Sequence, residues 1–132
     1  MRWEGTSARP EELSAQYAGK YPLTFADDQT PFTTSLRTRY RRAWRIARKA
    51  GWLLKHKYGA QKVVVFGSLT DPSRFGSWSD IDLAAWGIPD SRFYAAVGTV
   101  TGLSNEFKVD LVDAETCRAP LRKAIDDEGA EI

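Results

Sequence analysis

The pattern of apolar and polar positions divides the chain into a weakly patterned first quarter and a strongly patterned remainder. Up to about residue 32, Pro10, Gly19, Pro22 and Pro31 interrupt the apolar positions, and Gly and Pro are the strongest breakers of regular structure. A short helix over 11–18 fits after Pro10, because proline suits a first helical turn. The trio Leu23, Thr24 and Phe25 is too short to assign. Residues 1–32 therefore read as an N-terminal arm that packs on the domain or on a partner. From residue 33 a helical period takes over. Thr33, Thr34 and Ser35 are good N-caps, and Leu36, Tyr40, Ala43, Ala47, Ala50, Leu54 and Tyr58 recur every three or four residues. That spacing predicts an amphipathic helix over 35–58, ended by Gly59. The opposite arc carries Arg37, Arg41, Arg42, Arg45, Arg48 and Lys49, with Trp52 among them.

Beyond this helix the period changes from helical to strand-like. Residues 61–66 contain three successive valines, Val63 to Val65, which predicts a central strand buried on both faces. Gly67 and Ser68 end it, and a turn-rich loop with Asp71, Pro72, Arg74, Gly76 and Ser77 comes next. A second strand is predicted over 81–86, closed by Gly87. Pro89, Asp90 and Ser91 open a helix whose apolar face is Phe93, Ala96, Val97, Val100 and Leu103. Residues 106–112 then alternate, with Phe107, Val109 and Leu111 on one face and Lys108, Asp110 and Val112 on the other, which predicts a third strand. Asp113 reads as a helix cap, Pro120 as an interruption, and 121–128 as a last helix ended by Gly129. The order helix, strand, strand, helix, strand, helix predicts one α/β (α+β) domain over 33–132 with a small sheet.

Composition narrows the function classes. A chain of 132 residues is most simply one domain with a core sufficient for independent folding. Its 42% hydrophobic and 27% charged residues match a soluble globular protein. No apolar run reaches the length of a membrane span, and the first residues lack the apolar core of a signal peptide, so the expected compartment is the cytoplasm. Cys117 is the only cysteine, which excludes a disulfide framework or a cysteine-based zinc site within one chain. It reads as a buried or half-buried thiol. His56 is the only histidine, so a Ser/His/Asp triad is excluded unless His56 serves it; among Lys55, Lys57 and Tyr58 it reads as a surface histidine. The net charge of +2 conceals an asymmetry. From Arg37 to Lys57 nine residues are Arg or Lys and none is acidic, whereas from Asp110 to Ile132 seven acids face Arg118, Arg122 and Lys123. Such a split points to a charged partner. The basic arc is either a solvated face or a surface for nucleic acid or an acidic protein, with RNA contact through Arg41, Arg45 and Arg48.

The chemistry concentrates in 63–86. Asp80 and Asp82 are spaced i, i+2, so on a strand they point to one face while Ile81 points into the core. Two adjacent carboxylates repel, and a hard divalent cation such as Mg²⁺ relieves the repulsion. Asp110, in the later strand, adds a third carboxylate. Three carboxylates can hold two Mg²⁺ ions roughly 3.5–4 Å apart for an in-line displacement at phosphorus. Gly67 and Ser68 offer backbone donors and a hydroxyl to phosphate oxygens. This chemistry needs neither histidine nor thiol. Around the set, Asp71 reads as a turn residue and Arg74 as a solvated loop arginine, with reach to a triphosphate as the alternative. Trp78 reads as a packing residue, with cover for a nucleotide base as the alternative.

Gly67-Ser68 followed after eleven residues by Asp80-Ile81-Asp82, with Asp110 in the segment Phe107-Lys108-Val109-Asp110-Leu111-Val112-Asp113, resembles the signature of the DNA polymerase β-like nucleotidyltransferase superfamily. In length and detail it is most similar to the minimal nucleotidyltransferases (MNT), whose Gly-Ser to Asp-x-Asp interval is about ten residues; the extra residue lengthens the loop. The ending Leu121-Arg122-Lys123-Ala124-Ile125 to Glu128-Gly129 also resembles this group, and the likeness covers roughly 58–132. The resemblance implies a small mixed sheet flanked by helices, two Mg²⁺ ions, and a nucleoside triphosphate, usually ATP. It implies transfer of a nucleoside monophosphate to an acceptor hydroxyl. Gly67 and Ser68 would hold the triphosphate, Asp80 and Asp82 would ligate both metals, and Asp110 would ligate one metal and help deprotonate the acceptor. It further implies pairing with a HEPN-type toxin protein, which an MNT antitoxin blocks, in some cases by adding AMP. The alternatives are a non-catalytic antitoxin that acts by binding, and a nucleotidyltransferase for RNA or a small molecule such as an aminoglycoside.

Overall fold

The computed structural model describes residues 34–132. The arm 1–32, with the helix expected over 11–18, lies outside the described residues. Helix α1 spans Thr34–Tyr58, strand β1 Lys62–Phe66, and a single 3-10 turn Gly67–Thr70. Strand β2 covers Ile81–Trp86, helix α2 Asp90–Thr101, strand β3 Val109–Asp113, helix α3 Ala119–Glu128 and the short strand β4 Ala130–Glu131. The four strands form one mixed sheet in the order β3-β2-β1-β4. β1 runs antiparallel to β2 and β4, and β2 runs parallel to β3 through the α2 crossover. The chain is thus an α+β domain with three described helices and a four-stranded mixed sheet.

The triple valine explains the position of β1. Side chains alternate between the two faces of a strand, and Val63, Val64 and Val65 are all buried. Val63 and Val65 enter the main core with Tyr40, Trp44, Ala47, Leu54, Ile81, Leu83, Ala96 and Val100. Val64 and Phe66 enter a second core with Ala84, Ala114 and Ile125. The sheet is therefore a middle layer, with α1 and α2 on one face and α3 on the other. The apolar stripe of α1 behaves as its spacing requires, since Tyr40, Ala43, Ala47, Ala50, Leu54 and Tyr58 are all buried.

Three boundaries differ from the sequence-based expectation. The third strand begins at Val109 rather than 106, because Ser104 Oγ accepts hydrogen bonds from the backbone N–H groups of Glu106 and Phe107 and turns that segment. Its alternation is nevertheless kept: Phe107 and Val109 are buried in the main core, with Leu111 packed against it. Asp113 is the last residue of β3, and its Oδ1 accepts the N–H of Glu115, capping a turn rather than a helix. Pro120 sits in the first turn of α3 instead of interrupting it, where its missing N–H costs nothing. The strand β4 had no sequence signal; two residues are too few for a period.

One basic residue is misplaced by the helical-arc reading. Arg48 is only 2% exposed. It lies four residues after Trp44, and helical side chains lean toward the preceding turn, so its stem follows the edge of the apolar stripe. Trp52 is half-buried and stacks on His56 at 4.7 Å between ring centroids. Arg41, Arg45 and Lys49 remain exposed in a row at i, i+4, i+8. Cys117 is half-buried, as expected. Among the described residues no helix is long and apolar enough to cross a membrane.

The α3–β4 junction fixes α3 against the sheet. A Cβ on Gly129 would overlap the Ile125 carbonyl oxygen and Val64 Cγ1. Gly129→Ala is expected to lower stability by about 2 kcal/mol, as overpacking typically does, measured by urea unfolding; a change within the scatter of surface substitutions would refute this packing role.

Candidate functional site

The strand registers bring the sequence-predicted residues together. Phe66 is opposite Asp82 in the antiparallel β1–β2 pair. Asp82 is in turn opposite Asp110 in the parallel β2–β3 pair. Residues opposite one another share a face, and Phe66 belongs to the α3-side core. Asp82 and Asp110 therefore stand on the α3 face, and Ile81 and Leu83 point the other way, fully buried in the main core. Asp80 lies one residue before β2, in the connecting loop rather than in the strand, and is partly exposed. Its charge still acts on Asp82.

Gly67 closes the row from the β1 side. It has φ +78, a conformation that L side chains rarely adopt. A Cβ there would stand 2.5 Å from Asp82 Oδ2. The backbone turn and the Asp82 carboxylate thus approach as closely as they do because residue 67 has no side chain. Ser68 is next in the 3-10 turn and is half-buried. Thr70 Oγ1 donates to Gly67 O at 2.7 Å, and Asp71 N–H donates to Ser68 O at 3.1 Å, so the turn is held from within.

The loop between the turn and β2 is anchored from α1. Tyr40 OH donates to Leu69 O at 3.0 Å, and its ring meets buried Phe75 edge-on. Arg39 donates to Gly76 O and Ser79 O at 3.4 and 3.3 Å, with its guanidinium 4.3 Å from the Phe107 ring centroid. Asp71 Oδ1 accepts from the N–H and hydroxyl of Ser73, the local turn bond its sequence context implies. Trp78 is not a packing residue: it is 94% exposed. Its neighbours Ser77 and Ser79 belong to the tight turn closed by Ser79 N–H to Gly76 O, which leaves the indole outside the core.

One participant has no signature in the sequence. Glu128, the last residue of α3, accepts the Gly67 N–H on Oε1 at 3.2 Å. Its Oε2 lies 3.5 Å from Arg74 Nη1. A glutamate before a helix-ending glycine reads as a surface residue; only the folding of α3 onto the second core brings it to the Gly67 turn.

Electrostatics of the site follow from this crowding. Burial, with the charges of Asp110 and Asp80, pushes the Asp82 carboxyl up from 3.8 to about 6; Glu128 adds to the rise and Lys108 opposes it. Lys108 Nζ is 3.8 Å from Asp110 Oδ1, a largely exposed pair that neutralises little. Among the described residues no three Asp, Glu, His or Cys side chains close around a single point as a ready metal cage. The donor set nevertheless suits a hard cation. It is all oxygen, and like charges crowd a half-buried carboxylate that a divalent ion would relieve. A separate cleft of about 680 Å³, lined by residues including Leu36, Arg39, Phe75 and Glu106, contains none of these groups.

Neither a scan against protein-family models nor a search of curated proteins returns a match for this chain.

The raised Asp82 carboxyl makes folding pH-dependent. Because the folded chain holds this proton more tightly than the unfolded chain, Asp82 costs nothing below about pH 4 and its penalty is complete above its folded value of about 6. Asp82→Asn should therefore raise stability by about 1 kcal/mol at pH 7.5, after allowance for solvent screening, and by nothing near pH 4. Thermal unfolding of both proteins at the two pH values measures this; a gain independent of pH would contradict it.

Proposed function

We propose that this chain is a Mg²⁺-dependent nucleotidyltransferase of the MNT type, moving AMP from ATP to an acceptor hydroxyl. The observation that carries the reading is the single row formed by the Gly67 turn, Asp82 and Asp110 across three adjacent segments, with Asp80 beside it. Asp80, Asp82 and Asp110 would hold Mg²⁺, which when bound supplies positive charge to the phosphates and lowers the cost of deprotonating the acceptor. The Gly67 and Ser68 turn orients the triphosphate through backbone N–H groups and the Ser68 hydroxyl. Asp110 takes the acceptor proton. The acceptor oxygen forms a bond to the α-phosphorus, and the bond from that phosphorus to the β-bridging oxygen breaks. Pyrophosphate leaves with the electron pair.

The biological role that fits is the antitoxin of a HEPN/MNT pair, with a HEPN-type toxin as the acceptor. The exposed Trp78, two residues before Asp80, supports a protein or nucleotide contact at this rim, because a fully exposed indole leaves a large apolar area in water. A non-catalytic antitoxin would use the same surface without needing the carboxylates. A second reading, RNA contact, is favoured by one observation: Arg41, Arg45 and Lys49 form an exposed row with a rise of about 6 Å per step, whereas Arg42 is held by Glu106 and Arg48 is buried. The row lies on the α1 side of the sheet and the carboxylates on the α3 side. It would bind RNA away from the reaction rather than present an acceptor.

Two experiments test these readings. With labelled ATP, Mg²⁺ and the partner toxin, the Asp80→Asn/Asp82→Asn double variant should transfer AMP at least about a hundredfold more slowly than wild type. Normal neutralisation of the toxin by that variant would establish the binding-only antitoxin instead. A salt-dependent RNA mobility shift that disappears after charge reversal at Arg41, Arg45 and Lys49 would support the second reading, and a shift insensitive to those changes would remove it.

A further inference from the structure

Glu128 occupies a position that its own helix does not favour. It is the last residue of α3, where the helix dipole presents partial negative charge, and its charge adds to those of Asp110 and Asp80 acting on Asp82. What holds it there is a pair of anion donors. The Gly67 amide donates to one carboxylate oxygen at 3.2 Å, and the Arg74 guanidinium faces the other at 3.5 Å. Arg74 is the only basic residue of the loop 69–79. An oxyanion bridging a backbone amide and a guanidinium, beside a row of metal-type carboxylates, is chemically what a phosphate oxygen would be in that place.

We propose that Glu128 is a built-in occupant of the phosphate position between the Gly67 amide and the Arg74 guanidinium, displaced when the terminal phosphates of a nucleoside triphosphate arrive. The proposal rests on the nucleotidyltransferase reading. Displacement is energetically accessible. The Arg74–Glu128 pair is substantially exposed on both sides, and such pairs contribute little. The Gly67 N–H would exchange one oxygen acceptor for another. A pyrophosphate moiety brings several charged oxygens to the same two donors. Until a nucleotide binds, Glu128 keeps the Gly67 donor satisfied, which avoids the cost of an unpaired amide. Glu128 therefore both preserves the turn and sets a threshold on nucleotide affinity.

The test uses inorganic pyrophosphate titrated into the full chain without Mg²⁺, followed by calorimetry and by the amide resonance of Gly67. Glu128→Gln keeps an oxygen acceptor for Gly67 and removes the competing charge, so it should bind pyrophosphate about three- to tenfold more tightly than wild type. Arg74→Gln should weaken binding in both backgrounds. Glu128→Ala provides a second variant, with circular dichroism as the folding control, and the wild-type Gly67 resonance should itself shift on saturation. Equal or weaker binding by Glu128→Gln, or no binding by any variant, overturns the proposal. Tighter binding by Glu128→Gln in a chain that transfers no AMP supports the subsite and removes the enzymatic reading. Normal transfer with unchanged pyrophosphate affinity overturns the subsite alone.

Discussion

The site depends on a close approach between the backbone at Gly67 and the carboxylate of Asp82. Any side chain at position 67 would meet Asp82 Oδ2 at 2.5 Å, and the turn takes a positive φ that most residues resist. The approach exists because β1 and β2 pair in the register that sets Phe66 opposite Asp82. That register is fixed in turn by burial on both faces of β1, since a slip of one residue would exchange the valines between two different cores. The packing of the three valines is thus connected, through the strand pairing, to the geometry of the Gly67 turn beside Asp82.

The sheet also separates the charges. Seven acids lie between Asp110 and Ile132, and Asp82 and Asp110 stand on the α3 face. The nine basic residues of α1 lie behind the opposite face, and several of them serve the fold. Arg39 ties down the loop that leads to Asp80, Arg42 pairs with Glu106, and Lys55 donates to the Ile132 carbonyl. The helix whose composition suggests a polyanion surface is therefore partly an anchoring element, with only part of its arc available to a partner.

Much of this was legible in the sequence because it depends on short-range periodicity. The stripe of α1, the triple valine of β1, the strand 81–86 and the alternation around Asp110 all follow from side-chain direction alone. The nearness of Gly67, Asp82 and Asp110 needed the sheet registers, and Asp80 lies in the loop before β2 rather than on the strand face that its spacing implied. The features that escaped were decided by tertiary contact. Arg48 is buried although it belongs to the basic arc, since helical side chains lean toward the preceding turn. Trp78 was expected to pack, but the Gly76–Ser79 turn leaves it in solvent. Glu128 has no local signature at all; it reaches Gly67 only because Gly129 lets α3 sit against Val64.

The proposed chemistry requires the three carboxylates to act together as a divalent-cation site for a nucleotide. Mn²⁺ bound with a non-hydrolysable ATP analogue, followed by electron paramagnetic resonance, tests this without relying on any acceptor. Wild type is expected to bind Mn²⁺ in the presence of the analogue, and Asp110→Asn to lose at least about tenfold in that affinity, as loss of a charged ligand implies. Equal Mn²⁺ affinity in wild type, Asp82→Asn and Asp110→Asn would contradict a shared cation site.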